Sequence, residues 1–484
     1  MRLSTLLAGL DVTRVTGNGD VEITGITKDS RAVREGYIFF STKKSASFIA
    51  DALRMGAVAV ASRNEPDMPV PCSVTTSDVD GLLGAVSARF YGMPSRDLFI
   101  VGVTGTNGKT TTTYLIESMV EHAGRKAGVI GTISYRFGGK TLRAPNTTPG
   151  SVEIQELLRD MVRARTEFVA MEVSSHALDQ KRVEGVDLNM AIFTNLTHDH
   201  LDYHGTFEHY KAAKKLLFTH YLEKSHKDVK WAILNKDDPA ALEFAPGSRV
   251  STLFYSVQGE ADAWLRACEE DIEGLTLDIS LMGRRLSLKS SLIGAFNASN
   301  ILAACLFGHG AGLPHEAVKE GVEALAGVPG RVERVPNTKG ISVFVDYAHT
   351  PDALRKVLEL LSRLKKGRLI AVFGCGGDRD AAKRPQMGAI ATSLADFTII
   401  TSDNPRSEEP SRIIGDITRG AGGGAFRAVE ERREAIHEGI RMAGENDVVL
   451  IAGKGHEDYQ IIGDRISHFS DREVAEEYLN VACG

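Results

Sequence analysis

Short blocks of apolar and β-branched residues alternate along the chain with segments of helical spacing, and these blocks set the first expectation for the fold. Residues 98–103 (LFIVGV) form one continuous apolar run, which breaks into a glycine-bearing turn ahead of a helix expected to begin near Lys109. Runs at 168–173, 190–196, 231–235 and 250–255 alternate with helical patterns and predict crossover units on a mostly parallel sheet. Residues 294–310 read as a helix closing this region, and the turn-rich GVPGR at 327–331 marks a boundary. Beyond it the pattern restarts, with runs at 341–347, 368–375, 397–402 and 447–453 that predict a doubly wound sheet. Ahead of it, residues 1–97 mix short runs such as 37–41 and 57–61 with helical segments and end in YGMPSRD. The expected fold is therefore α/β in three domains. A small N-terminal α/β domain (1–97) precedes a central P-loop-type domain with a mostly parallel sheet (98–328) and a Rossmann-like C-terminal domain (329–484).

Composition narrows the functional classes. A chain of 484 residues has room for several buried sheets, and its formal net charge of −6 favours neither nucleic acid nor an anionic membrane as partner. The five cysteines (Cys72, Cys268, Cys305, Cys375 and Cys483) are scattered without CxxC spacing, which fits a reducing compartment and small core residues. The apolar run 6–10 is too short for a signal segment and no stretch reaches transmembrane length, so a cytoplasmic protein with no membrane insertion is expected. The charge run at 430–434 reads as the solvated face of a helix.

Candidate chemistry concentrates where the apolar runs end. In TGTNGKTT, Gly105 and Gly108 let backbone N–H groups converge on an anion, Lys109 reaches terminal phosphates, and the Thr110 hydroxyl suits Mg²⁺ at a helix N-terminus. The match to the common phosphate-loop pattern is incomplete, because Val103 stands where its first glycine would fall. After the run 168–173 comes EVSSHALDQKR, which places Glu172 at the end of a buried strand, an expensive position for an unpaired charge unless a metal or a water-mediated partner meets it. The next run leads into THDHLDYHG, with His198, Asp199, His200, Asp202 and His204 close together. Zinc is the rival occupant there, but the adjacent phosphate loop and the lack of a thiol cluster favour Mg²⁺ at a nucleotide site.

TGTNGKTT, EVSSHAL, HDHLDYHG, AAKKLLF, GAFNASN, GRVE and DYAHTP occur in the order seen in the Mur ligases, which build the peptidoglycan peptide, and the chain resembles that family over nearly its whole length. FGCGGDRDAAKRPQMG, TSDNPRSEEP and AGKGHEDYQ are similar to the branch that adds meso-diaminopimelate. The resemblance implies transfer of the ATP γ-phosphoryl group to the D-glutamyl γ-carboxylate of UDP-N-acetylmuramoyl-L-alanyl-D-glutamate, then attack of the incoming amine on the acyl phosphate. It implies ATP contacts at Gly105, Thr106, Asn107, Gly108, Lys109, Thr110 and Thr111, with Asn297, Arg331 and Asp346 near the nucleotide. Catalytic and Mg²⁺-associated positions would be Lys109, Thr110, Glu172, His200 and Lys214. Lys214, rather than its neighbour Lys215, matches a lysine that condenses with carbon dioxide into a carbamate, a reaction that requires a neutral amine. The nucleotide-sugar peptide would contact Ser30, Asn146, Thr147, Thr148, Ser174, Gln180 and Arg182, the last holding an acidic group through a planar two-bond contact. Diaminopimelate would meet Arg379, Asp403, Asn404, Pro405, Arg406, Gly453 and Glu457, with the Arg406 fork taking the distal carboxylate that lysine lacks and Glu457 the distal ammonium. Near the uridine, Lys43, Lys44 and Ser45 stand where the family more often has a glycine–histidine stretch. A monomer is expected. An L-lysine-adding relative, a folate polyglutamate-forming ligase and an ATP-driven switch without catalysis are the alternatives.

Overall fold

The computed structural model of the chain describes residues 1–42 and 45–480, so the readings made on Lys43, Lys44 and Cys483 lie outside the described residues. The chain divides into two compact units. The first comprises Met1–Leu265, Ser280–Arg285 and Ser299–Gly321, and the second Arg266–Ile279, Leu286–Ala298 and Val322–Gly484.

The first unit carries two sheets. The smaller has the spatial order Arg14–Gly17, Cys72–Thr75, Ala57–Ser62, Tyr37–Ser41, Gly25–Thr27, parallel throughout except for the antiparallel edge strand Arg14–Gly17. Ile38, Phe40 and Val74 pack there against Leu82, Leu83 and Val86 of the helix Val79–Phe90, whose Asp78 accepts from the Gly81 N–H at 3.1 Å as N-cap.

In the larger sheet, Phe99–Thr104 lies between Met190–Phe193 and Phe168–Glu172, all parallel. Trp231–Asn235 and Ser251–Ser256 extend one side, and Ala127–Ile130 the other. Strands covered on both faces must be apolar along their length, which is why they read as unbroken runs; all five residues of Phe168–Glu172 are buried. Within this unit the sheet continues into strands with no apolar run, the hairpin Ser134–Phe137 and Lys140–Arg143 at one edge.

The second unit is doubly wound. Its strand order is Glu333–Val335, Ser342–Asp346, Val448–Ala452, Leu369–Phe373, Phe397–Ile400, Phe426–Ala428, parallel apart from the first. One face buries Phe344, Leu354, Leu361, Phe373 and Met387, the other Val345, Ile370, Ile436, Ile451 and Val474. Full burial of side chains of this size is worth about 1.5–3 kcal/mol each.

One sequence reading is corrected here. The 430–434 charge run is not a wholly solvated face, because Arg432 is fully buried in a two-bond pair with Asp471 (Nε–Oδ1 and Nη2–Oδ2, both 2.7 Å). Its remaining N–H groups donate to the carbonyls of Ser402 (3.1 Å) and Ala452 (3.0 Å), fastening the ends of two strands together. Among the described residues no helix is long and apolar enough to cross a membrane.

Candidate active site

The strand Phe99–Thr104 ends in a loop that closes on the helix Lys109–His122. Gly108, the residue before that helix, has φ +85°, a conformation that favours glycine, and a Cβ there would stand 2.3 Å from the Asn300 side-chain oxygen. At Gly105 a Cβ would come within 1.8 Å of the Thr194 hydroxyl. Lys109 Nζ folds back over the loop and donates to the carbonyls of Gly105 (2.8 Å) and Thr106 (2.9 Å). Asn107 N–H donates to the Asn195 side chain at 3.0 Å, and Thr111 is buried behind the loop.

Glu172 is met inside the fold by three protein donors. Its carboxylate accepts from the Thr110 hydroxyl (3.0 Å), the Thr132 hydroxyl (2.9 Å) and the Thr132 N–H (2.9 Å). Gly131 makes room for it, since a Cβ there would approach Oε1 to 2.5 Å. A buried carboxylate touching the helix-terminal threonine is a hard-oxygen set suited to Mg²⁺ next to phosphates.

Lys214 sits on the helix Phe207–Leu216 with 1% of its surface exposed, whereas Lys215 is half-buried. Its Nζ donates to the same Gly105 carbonyl at 2.8 Å and lies 4.7 Å from the centre of the Tyr210 ring. Burial, reinforced by the Lys109 charge and opposed by Asp199, holds its amine well below the ordinary lysine value. That is the condition carbamate formation requires. The Tyr210 hydroxyl is 3.0 Å from Thr106 Oγ, so this helix and the loop before Lys109 are joined directly.

His200, with φ +53°, has its ring 4.8 Å from that of His176. Burial lowers its pKa, Lys109 and Lys214 push the same way, and Asp199 opposes them. His176 and His204 are also lowered, chiefly by burial, and His204 Nε2 lies 3.0 Å from the Ser175 hydroxyl. Among the described residues, no three or more of His, Cys, Asp and Glu converge to hold a metal ion.

The residues expected to contact the nucleotide-sugar peptide divide. Thr147 and Thr148 join the Glu172 cluster, the first 3.1 Å from the Thr132 hydroxyl and the second donating to the Glu172 carbonyl at 2.8 Å. Asn146 is exposed, its carbonyl accepting from Tyr135 (2.8 Å), and Ser174 caps the helix Ser175–Asp179. The Arg182 fork is already engaged: Nε and Nη2 both donate to Gln180 Oε1 (3.0 and 2.8 Å), and Nη1 to the Thr148 carbonyl (2.8 Å). Its two-bond face is therefore closed by Gln180 in this structure. Ser30 lines a separate cavity of about 280 Å³ with Arg31, Asp51, Arg54 and Met55.

The second unit holds Asn297, Arg331 and Asp346 as well as the expected amino-acid contacts. Asn297 Nδ2 donates to the Ile293 carbonyl at 2.8 Å. Asp346, raised by burial, accepts from the N–H groups of Val332 (2.7 Å) and Ala348 (2.8 Å), and Arg331 stacks on Tyr347 at 5.5 Å. Following the strand Phe397–Ile400, Asp403, Asn404 and Pro405 are buried and lead to Arg406 at φ +54°. Arg406 Nη1 donates to the Gly377 carbonyl at 2.8 Å. Asn404 Nδ2 donates to Glu457 (2.9 Å), while Asn404 Oδ1 accepts from Lys454 (3.3 Å) and from the Ile461 N–H (3.0 Å). Gly453 has φ +119°, and a Cβ there would stand 2.7 Å from Asp403 Oδ2. Arg379 is exposed and its Nη1 donates to the Asp378 carbonyl at 3.3 Å.

A family model described as the Mur ligase middle domain matches residues 103–308, and one described as the Mur ligase, glutamate ligase domain matches residues 330–455. The UDP-N-acetylmuramoyl-L-alanyl-D-glutamate–2,6-diaminopimelate ligase of Halalkalibacterium halodurans is 42% identical over 99% of this chain and 99% of its own. The protein of that name in Geobacter metallireducens is 44% identical over 98% of this chain and 97% of its own. This chain belongs to the Mur ligase family. A solved structure of a UDP-N-acetylmuramoyl-L-alanyl-D-glutamate–2,6-diaminopimelate ligase superposes with a TM-score of 0.74 at 33% identity, covering 99% of both chains. The Mur ligase fold thus bears out the α/β architecture with large, mostly parallel sheets.

Several residues of this Mur ligase escaped the sequence reading. Thr132 supplies two of the three donors to Glu172, and its place just past the strand Ala127–Ile130 was the available signal. Lys454, fully buried, donates to Asn404 Oδ1 at 3.3 Å, and the Gln460 amide donates to the Asp403 carbonyl at 2.9 Å, so both brace the 403–404 segment; nothing local marks either as buried.

Proposed function

We propose that this Mur ligase joins diaminopimelate to the D-glutamyl γ-carboxylate of UDP-N-acetylmuramoyl-L-alanyl-D-glutamate at the expense of ATP, through an acyl phosphate. The observation that carries the reading is full-length identity above 40% to ligases bearing that name. It is joined by a glycine-built phosphate loop tied to a buried, deprotonation-prone lysine.

The chemistry asks the chain to bring two anions together. A carboxylate oxygen attacks the γ-phosphorus, ADP departs, and the amine nitrogen then attacks the acyl carbon, expelling phosphate with one former carboxylate oxygen and releasing a proton. Lys109 sits where it can leave the loop carbonyls for the β- and γ-phosphate oxygens, and the N–H groups of 105–111 cradle them. Thr110 and Glu172 would hold one Mg²⁺, and His200 with Lys214 as carbamate a second, which when bound neutralise charge between triphosphate and carboxylate. The neutral amine of Lys214, buried beside Lys109, is prepared to take up carbon dioxide and become an anion.

In the proposed division of labour, residues 1–97 bind the UDP-sugar, 98–328 ATP and 329–484 the amino acid. Ser30, Asn146, Thr147, Thr148, Ser174, Gln180 and Arg182 serve the first substrate, with Arg182 exchanging Gln180 for a substrate acid group. Asn297, Arg331 and Asp346 serve the nucleotide. Arg379, Asp403, Asn404, Pro405, Arg406, Gly453 and Glu457 serve meso-diaminopimelate, and the working form is a cytoplasmic monomer. The test is ligation by purified protein with ATP, Mg²⁺ and the UDP-muramoyl dipeptide, comparing meso-diaminopimelate, L-lysine and L-glutamate as acceptors. Strong preference for the first is expected, and equal use of lysine refutes the acceptor assignment.

A further inference from the structure

The two arginines assigned to the acceptor come from different loops, Arg379 after the strand Leu369–Phe373 and Arg406 after Phe397–Ile400. A ligand with a carboxylate at each end is recognised by the separation of its two receptors, so whatever fixes one loop against the other bears on selectivity. The contact between these loops is unusually close. A Cβ on Gly377 would stand 1.8 Å from the Pro405 carbonyl oxygen, and one on Gly376 2.9 Å from Arg406 Nη1. The Gly377 N–H donates to the Asn404 carbonyl at 2.9 Å, and Ser407 Oγ donates to Asp378 Oδ1 at 2.6 Å.

One side chain ties this junction to the body of the unit. Glu408 Oε1 accepts from the Asp378 N–H (2.7 Å) and from Arg384 Nη2 (2.7 Å), and its Oε2 accepts from Arg384 Nη1 (2.9 Å). Arg384, on the helix Lys383–Leu394, is 1% exposed and also bonds Asp416 at 2.9 Å, so it is a buried anchor with a fixed fork. Asp378, at φ +53°, is held in a backbone conformation few residues adopt.

We propose that Glu408 is a positioning residue for acceptor selection: by joining Arg384 to the Asp378 N–H it sets the spacing of Arg379 and Arg406, and hence the preference for an amino acid carrying a second carboxylate. Asp378 and Ser407 form the outer half of the same clasp. This rests on the reading that Arg406 receives the distal carboxylate. The Glu408→Gln side chain keeps the shape but turns an amide N–H₂ or a weaker acceptor toward Arg384, loosening the clasp while Asp416 still neutralises the buried guanidinium.

The experiment measures kcat and KM for meso-diaminopimelate, L-lysine and ATP with wild type, Glu408→Gln, Ser407→Ala and Arg406→Ala, with thermal midpoints taken on each. For Glu408→Gln the KM for diaminopimelate rises about 10-fold or more, the range expected for loss of a charge-assisted hydrogen bond. The KM for ATP stays within about twofold, and the ratio of kcat/KM for diaminopimelate over lysine falls about 10-fold, because lysine has no distal carboxylate to misplace. Ser407→Ala, at an exposed position, shows the same shift at about 2- to 5-fold and keeps the proposal testable if Glu408→Gln does not fold. An unchanged selectivity ratio in the folded variants overturns the proposal while leaving the acceptor assignment standing, provided Arg406→Ala abolishes the preference. Wild-type protein that does not prefer diaminopimelate overturns both.

Discussion

Replacing Lys214 by alanine separates its structural contribution from the catalytic one proposed for it. The side chain is 1% exposed, and its removal deletes three buried methylenes at about 0.8 kcal/mol each together with the amine's bond to the Gly105 carbonyl. Against this stands relief of a buried amine whose charged form is disfavoured, so the net loss of stability is about 1–3 kcal/mol and the variant folds. Loss of a preorganised charge at a reacting centre costs about 2.7–4 kcal/mol in barrier, or roughly a 10²- to 10³-fold fall in kcat. The assay is release of ADP and phosphate with all three substrates, with a thermal midpoint to show the fold intact. Intact-mass measurement of wild type under gentle conditions should show the added mass of one carbon dioxide, lost in Lys214→Ala. A folded Lys214→Ala enzyme within about threefold of wild-type kcat would refute the catalytic role given to this residue.

Other consequences are equally concrete. Gly108→Ala forces a left-handed backbone on a residue with a Cβ and drives it to 2.3 Å from Asn300 Oδ1, so the KM for ATP should rise at least about 10-fold in steady-state kinetics; an unchanged value would show that the loop relaxes freely. Asp471→Asn leaves Arg432 buried without its counter-charge and should lower unfolding free energy by about 3–5 kcal/mol in urea titration, with a loss under about 1 kcal/mol counting against the pairing. The hydrogen bonds from Arg384 hold the Glu408 carboxyl at about 2, below its ordinary 4.5. The stability it contributes is therefore complete above about 4.5 and lost as pH falls through about 2, so the thermal-midpoint gap between wild type and Glu408→Gln should shrink across that window. A gap that stays constant from neutral pH to pH 2 contradicts the linkage.

What the sequence disclosed follows from how information sits in a chain. Strands buried on both faces announce themselves as apolar runs, and the run 231–235 coincides with the strand Trp231–Asn235. The edge strand Lys140–Arg143 exposes all four of its residues and Ala263–Asp271 ends in exposed polar ones, so no apolar run distinguished them from loops. The geometry of the 105–109 loop was legible because its glycines and Lys109 are contiguous. The Arg432–Asp471 pair, the Arg384–Glu408 contact and Lys454 were not, since each partner is ordinary alone and only the fold brings them together across 20 or more positions. The same holds for Glu172, whose charge is met by Thr132 from a neighbouring strand end rather than by any residue beside it in sequence.

The central claim is that the carboxylate is activated by phosphorylation before nitrogen arrives. It is tested most directly by labelling the D-glutamyl γ-carboxylate of the UDP-muramoyl dipeptide with a heavy oxygen isotope and analysing the phosphate released during ligation. The account predicts one labelled oxygen transferred to each phosphate released from doubly labelled carboxylate. Phosphate free of label, with amide product formed, would contradict it.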